Sequence, residues 1–128
     1  MASSHPLPLD GIRIIDMTTT LAGPYGSQIL GDFGADVIKI EAPKGDAIRN
    51  AGPQRNQGMA ATFMGCNRNK RSAVLDLKTS AGKDALWKLL DTAQVFLHAI
   101  RPQKIAALGF DSASVMERRP DIVYAALH

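Results

Sequence analysis

The residues of this chain best suited to chemistry sit in three short runs, each between a β-branched apolar stretch and a helical one. They are Thr18 to Pro24 (TTTLAGP), Asp76 to Thr79 (DLKT) and Ala99 to Pro102 (AIRP). These runs supply small residues at Ala22 and Gly23, the cations Lys78 and Arg101, and the free N–H groups of the helices that follow. Small residues let a ligand approach the backbone, helix N-termini favour anions, and cations neutralise phosphate. The combination suits a phosphate-bearing cofactor. A second concentration of positive charge, Arg68, Lys70, Arg71 and Lys78, falls within eleven residues and is offset only by Asp76. Such an excess fits a small polyanion, for instance a nucleotide or coenzyme phosphate, or else a solvated surface patch.

Other chemistries are argued against. No GxxxxGK[ST] run is present, which removes a P-loop. The first loop reads TTTLAGPYG rather than GxGxxG, and no ribose-binding acid sits at the usual point after a strand, so a nicotinamide dehydrogenase is not expected. The single cysteine, Cys66, cannot form an internal disulfide and has no CxxC or neighbouring His; it reads as small apolar filler, and no metal site is expected. No Ser-His-Asp or Cys-His set has readable spacing, so no catalytic nucleophile is assigned. Asp16, Asp36 and Asp76 lie at element ends and read as caps, while His98 lies inside an apolar run and reads as a satisfied core or edge histidine. His128 is the last residue and reads as frayed. Aromatics make up 5% of the chain and none interleaves the basic cluster, which argues against a nucleic-acid partner.

The elements that must position these runs follow from periodicity. Ile12 to Met17 reads as a first strand. Pro24 suits a first helical position, Tyr25, Ile29, Leu30 and Phe33 recur at helical spacing, and Gly34 supplies a left-handed stop. Val37 to Ile40 is a second strand. From Ala42 to Gly65 the pattern dissolves into Pro, Gly, Asn and Gln, with helical spacing only at Met59, Ala60, Phe63 and Met64. Ser72 to Leu77 is a third strand, and Thr79 or Ser80 caps a helix that turns Leu86, Leu89, Leu90 and Ala93 inward. Val95 to Ile100 is a fourth strand. Short helices over Pro102 to Leu108 and Ser112 to Arg118 precede a fifth strand, Ile122 to Leu127. Strands alternating with helices imply a single α/β unit over residues 1–128, with an open, mostly parallel sheet and helices on both faces.

The 128 residues, 45% apolar, are enough for one domain with a real core. No apolar run approaches the ~20 residues of a membrane span, and the opening Met1 to Pro6 lacks the apolar core of a signal peptide, so a cytoplasmic protein without a membrane partner is expected.

Nearly the whole chain resembles the N-terminal portion of the family III CoA-transferases, the group containing formyl-CoA transferase, carnitine CoA-transferase and α-methylacyl-CoA racemase. The blocks that carry the resemblance occur in order: Pro8-Leu9-Asp10-Gly11, Ala22-Gly23-Pro24-Tyr25, Gly34 to Glu41, Gly45-Asp46 with Arg49, Asn67 to Ser72, Asp76-Leu77-Lys78 and Arg101-Pro102. The resemblance implies a Rossmann-like large domain that binds coenzyme A or an acyl-CoA as substrate, within an interlocked homodimer, and incomplete here without the rest of that domain. It implies that Thr20, Leu21 and Ala22 line the coenzyme A site. It further implies that Leu75 and Lys78 meet the adenine and its ribose 3′-phosphate, and that Ala99, Ile100, Arg101 and Pro102 follow the pyrophosphate and pantetheine. Where the family usually has Asn-Phe and then Gly around Arg-Pro, this chain has Ala99-Ile100 and Gln103. The implied activity is transfer of coenzyme A between an acyl-CoA and a carboxylic acid through an aspartyl-CoA intermediate, with racemisation of a 2-methylacyl-CoA as the family's other chemistry. The reacting aspartate would lie beyond residue 128, so the chain alone is expected to be inactive, or to be completed by a C-terminal chain. A stand-alone coenzyme A-binding module is the remaining alternative.

Overall fold

Two β-branched runs make the centre of the molecule. In the computed structural model, which describes residues 6–128, they form strands β1 (Arg13–Met17) and β2 (Asp36–Glu41). They pair in parallel, Ile14 opposite Val37 and Ile15 opposite Ile38. Between them runs helix α1 (Ala22–Asp32). Strand β3 (Lys70–Val74) lies outside β2, while β4 (Val95–His98) and β5 (Val123–Ala126) continue beyond β1, giving a five-stranded sheet ordered β3-β2-β1-β4-β5. Every pairing is parallel. All strand-to-helix loops therefore open at one edge, and the order switches direction between β1 and β4.

Both faces are covered, as the parallel arrangement requires. On one face Ile15, Met17, Ile38, Ile40 and Phe96 meet Leu86 and Leu90 of α3 (Ser80–Leu90), Ile105 of α4 (Pro102–Leu108) and Val115 of α5 (Ser112–Arg118). On the other, Ile14, Ala35 and Val37 meet Leu30 of α1 with Leu9 and Ile12. Helix α2 (Ala61–Asn67) packs beside α1. The expected α/β class, mostly parallel Rossmann-like sheet and two helical layers are what the chain adopts. The opening Met1 to Pro6 run, read above for its lack of a leader, lies outside the described residues except for Pro6.

Three expectations need correction. The third strand begins at Lys70 and ends at Val74, two residues earlier and three shorter at its end than the apolar pattern predicts. Carboxylates set that register: Lys70 reaches Asp16 and Arg71 reaches Asp36, so both cations enter the ladder, and the chain turns away after Leu75 donates its N–H to Glu41. The fourth strand ends at His98 rather than Ile100, because the Ile100 N–H turns back onto His98 Nδ1. Most consequential is α1. It starts at Ala22, placing Pro24 third, where its missing N–H is still not needed. Its buried face is Gly23, Pro24, Ser27 and Gln28, while Tyr25, Ile29 and Phe33 point outward at 56%, 37% and 50% exposure. The apolar spacing located the helix but not its inward face.

The long connection from Ala42 is more ordered than its composition suggests. Asp46 caps a 3₁₀ turn over Ala47–Asn50, and Phe63 of α2 is buried under the Arg49 guanidinium, 3.9 Å from the ring centre.

Candidate functional site

The loop leaving β1 is held from beneath by charged groups withdrawn from solvent. Asp16 Oδ1 accepts from the Thr18 N–H at 2.8 Å and from the Thr18 hydroxyl, and Oδ2 accepts from Ser27 Oγ at 2.6 Å. Lys39, 1% exposed, donates to the Thr18 carbonyl at 2.8 Å and contacts Asp46 Oδ2 at 2.9 Å. Thr18 also meets α1 closely: a Cβ on Gly23 would overlap its side chain, so only glycine lets the helix start there. Above this support Thr20 takes φ +71°, a left-handed conformation costly for a β-branched residue. Leu21 then opens α1 with no side-chain cap, leaving the first N–H groups of that helix without an internal partner.

The loop after β3 is built differently. Asp76 Oδ1 accepts from the Lys78 N–H at 3.0 Å, its carbonyl accepts from Thr79, and Thr79 Oγ1 caps α3 through Gly82 N–H at 3.0 Å. Of the two caps expected, Thr79 is the one used. A Cβ on Gly82 would overlap the Asp76 carbonyl, so turn and helix are fitted to each other. The loop after β4 leads through Ala99 and Ile100 to Arg101 and Pro102 at the start of α4. Ile100 and Leu75 both turn their side chains against the main core, so those two positions present backbone rather than side chain.

The structure thus puts all nine implied positions on one edge of the sheet. Thr20, Leu21 and Ala22 leave β1 and Ala99 to Pro102 leave β4, on adjacent strands flanking the point where strand order reverses, the place where open α/β sheets bind ligands. Leu75 and Lys78 lie beyond β3, two strands from β1. The basic cluster is not a free patch. Arg68 pairs with Asp32 at 2.7 Å, Lys70 with Asp16 at 3.1 Å and Arg71 with Asp36 at 2.6 Å. Lys78 and Arg101 form no ion pair among the described residues, nor does the exposed Lys44 in the loop after β2, so these cations are available to an anion at this edge.

Sequence reasoning missed the polar core beneath the loop. Burial alone would raise the Glu41 carboxyl, but the forked Arg49 contact, the Ser72 hydroxyl and the Asp46 N–H together hold it at about 2. The aspartates read as caps have other work: Asp16 supports the β1 loop, Asp36 pairs with Arg13 and Arg71, and Asp76 builds a turn. One sequence signal pointed to this network: Lys39 interrupts an apolar parallel strand, where a charge needs a buried partner. His98, 1% exposed, has partners on both ring nitrogens, as a satisfied histidine should. Among the described residues no cluster of His, Cys, Asp or Glu is placed to hold a metal ion, and no helix is long and apolar enough to cross a membrane.

Comparison with known proteins bears on what this edge does. The model of CoA-transferase family III matches residues 9–128. A probable fatty acyl-CoA transferase of Mycobacterium tuberculosis, Rv3272, is 42% identical over 131 residues, covering 99% of this chain and 33% of the relative. The human succinyl-CoA:glutarate CoA-transferase is 36% identical, over 94% of this chain and 28% of its own length. Among solved structures, a CAIB/BAIF family protein from Brucella suis superimposes with a TM-score of 0.90 at 36% identity, covering 95% of this chain and 33% of that one. The orthorhombic form of Rv3272 does so at 0.86 and 41% identity. The chain spans about a third of the length of the relatives it matches.

Proposed function

The chain belongs to CoA-transferase family III, and on that premise we propose that it is the N-terminal, coenzyme A-binding part of an enzyme that moves coenzyme A between an acyl-CoA and a carboxylic acid. The observation that carries this reading is the family match across residues 9–128. Two features of the sheet edge agree with it: the cations Lys78 and Arg101, which form no ion pair among the described residues, and the start of α1, which has no side-chain cap, beside the strand-order switch. In this reading Thr20, Leu21 and Ala22 line the coenzyme, Leu75 and Lys78 meet the adenosine 3′-phosphate end, and Ala99 to Pro102 follow the pyrophosphate and pantetheine. This chain's residues bind and orient the thioester.

The group that attacks the acyl carbon is assigned elsewhere. The buried carboxylates here are occupied: Asp16 by Lys70 and Ser27, Glu41 by Arg49 and Ser72, Asp46 by Lys39 and the Ile48 N–H. A carboxylate so engaged is a poor nucleophile. The covalent aspartyl step, a homodimer and a location in the cytoplasm all belong to the proposal for the complete enzyme. Calorimetry of the 128-residue chain with coenzyme A tests the reading, with saturable 1:1 binding and no acyl transfer expected. Turnover by this chain alone would overturn the placement of the reacting group, and absence of binding would overturn the coenzyme site.

A further inference from the structure

At the carboxyl end of β4 a line of hydrogen bonds runs through His98. The Ile100 N–H donates to His98 Nδ1 at 3.1 Å. His98 Nε2 lies 2.8 Å from the Tyr124 hydroxyl, which itself donates to the Phe110 carbonyl at 2.9 Å. A phenol has one proton to give, and a carbonyl only accepts. Tyr124 therefore presents an acceptor to His98, and Nε2 carries the ring proton. Nδ1 must be bare to accept from Ile100. Two independent contacts select the same neutral tautomer.

The surroundings favour that neutral form. The ring is 1% exposed, and Tyr124 of β5 stands edge-on to it. His128, just past β5, lies with its ring centre 6.3 Å away, and Asp111 at the start of α5 lines the same cavity of about 190 Å³. Burial first, and then the His128 ring, hold the imidazole below the ordinary histidine range. That cavity is also lined by Pro102, at the far end of the loop whose Ile100 N–H His98 holds.

We propose that His98 is a positioning residue: its neutral ring holds the Ile100 backbone, sets the shape of the Ala99 to Pro102 loop, and on protonation at Nδ1 releases that loop and weakens anion binding there. A proton on Nδ1 would face the Ile100 N–H, donor against donor. That the anion is coenzyme A rests on the functional reading above; the tautomer and the loop do not. The direction of the pH effect is diagnostic, since an imidazolium acting only by its charge would strengthen anion binding on acidification.

Nitrogen NMR of the full chain should show Nε2 protonated and Nδ1 bare near neutral pH; the reverse tautomer overturns the proposal. Coenzyme A affinity and Ile100 amide exchange are then followed from about pH 8 to about pH 5, the range over which histidine titrates. His98→Asn keeps a non-titrating acceptor for Ile100, whereas His98→Gln extends toward Tyr124 and leaves Ile100 without one. Wild-type affinity should fall about fivefold on acidification, the worth of one hydrogen bond. His98→Asn should bind normally and lose the fall, and His98→Gln should bind about fivefold more weakly throughout with faster Ile100 exchange. An acid dependence that survives in His98→Asn, or affinity that rises on acidification, overturns the proposal. If coenzyme A binds at no pH, the functional reading fails on its own, and Ile100 exchange decides the role of His98: unchanged exchange in His98→Gln overturns it.

Discussion

Lys70 Nζ lies 3.1 Å from Asp16 Oδ2, with neither side chain more than 2% exposed. The same ammonium donates to the Pro24 carbonyl and to Asn67 Oδ1, both at 2.8 Å. One buried cation on an edge strand thereby joins the central strand, the first turn of α1 and the end of α2. Burial pulls Lys70 below the ordinary lysine range, against the opposing pull of Asp16.

Removing one partner of this pair should be worse than removing both. Lys70→Met leaves a carboxylate enclosed without its cation and should cost about 3–5 kcal/mol in urea unfolding. Asp16→Asn alone should cost a similar amount, because Lys70 is then the orphan. The double substitution should recover part of the combined loss, a coupling a double-mutant cycle measures directly. Strictly additive losses would mean that the two groups stand independently.

Glu41 should dominate one part of the acid response. Its carboxyl drops from an ordinary 4.5 to about 2 in the fold, corresponding to about 3 kcal/mol of stability. The folded value is depressed, so this stability is fully present above about pH 4.5 and is lost as pH falls toward 2. Glu41→Gln should therefore be less stable than wild type at neutral pH, with the two stabilities converging in acid. Asp32, Asp36 and Asp111 are also held low and leave a residual slope in the variant. Denaturation midpoints measured across this range test the point; parallel curves would show that Glu41 contributes no linkage.

The parallel α/β class, the helical layers and the loop edge were legible in the sequence because β-branched runs alternate with helical spacing, and parallel crossovers leave few topologies. The ends of β3 and β4 were not legible, since each is set by a contact distant in sequence or folded back on itself: Lys70 with Asp16, and Ile100 with His98. Nor was the inward face of α1. Ser27 and Gln28 are buried there, Ser27 on Asp16, and no hydropathy pattern anticipates a polar face turned toward a sheet. The site was legible as loops, but its polar support was not, apart from the lone signal of Lys39.

The orientation of α1 separates two substitutions that look alike in sequence. Ile29 is 37% exposed and Leu86 is fully buried, although each is a branched aliphatic residue on a helix. Leu86→Ala should cost about 2–5 kcal/mol through lost contacts and the cavity left behind. Ile29→Gln should change stability by about 0.5 kcal/mol or less, as an exposed position does. Comparable losses at both sites would mean that another surface covers the outward face of α1 in solution.

The coenzyme reading is most sharply tested at Lys78. Its N–H is tied to Asp76 Oδ1, so the turn persists when the side chain is shortened, and its ammonium forms no ion pair among the described residues. Lys78→Ala should leave the melting temperature unchanged. If the ammonium meets the ribose 3′-phosphate, the substitution should weaken coenzyme A binding about tenfold, the worth of a charge-assisted contact, and leave 3′-dephospho-coenzyme A unaffected. Wild type should correspondingly prefer coenzyme A over the dephospho form, and the variant should bind the two alike. Equal weakening for both ligands would move Lys78 from the 3′-phosphate to the pyrophosphate, and with it the direction in which the coenzyme lies across the strand ends.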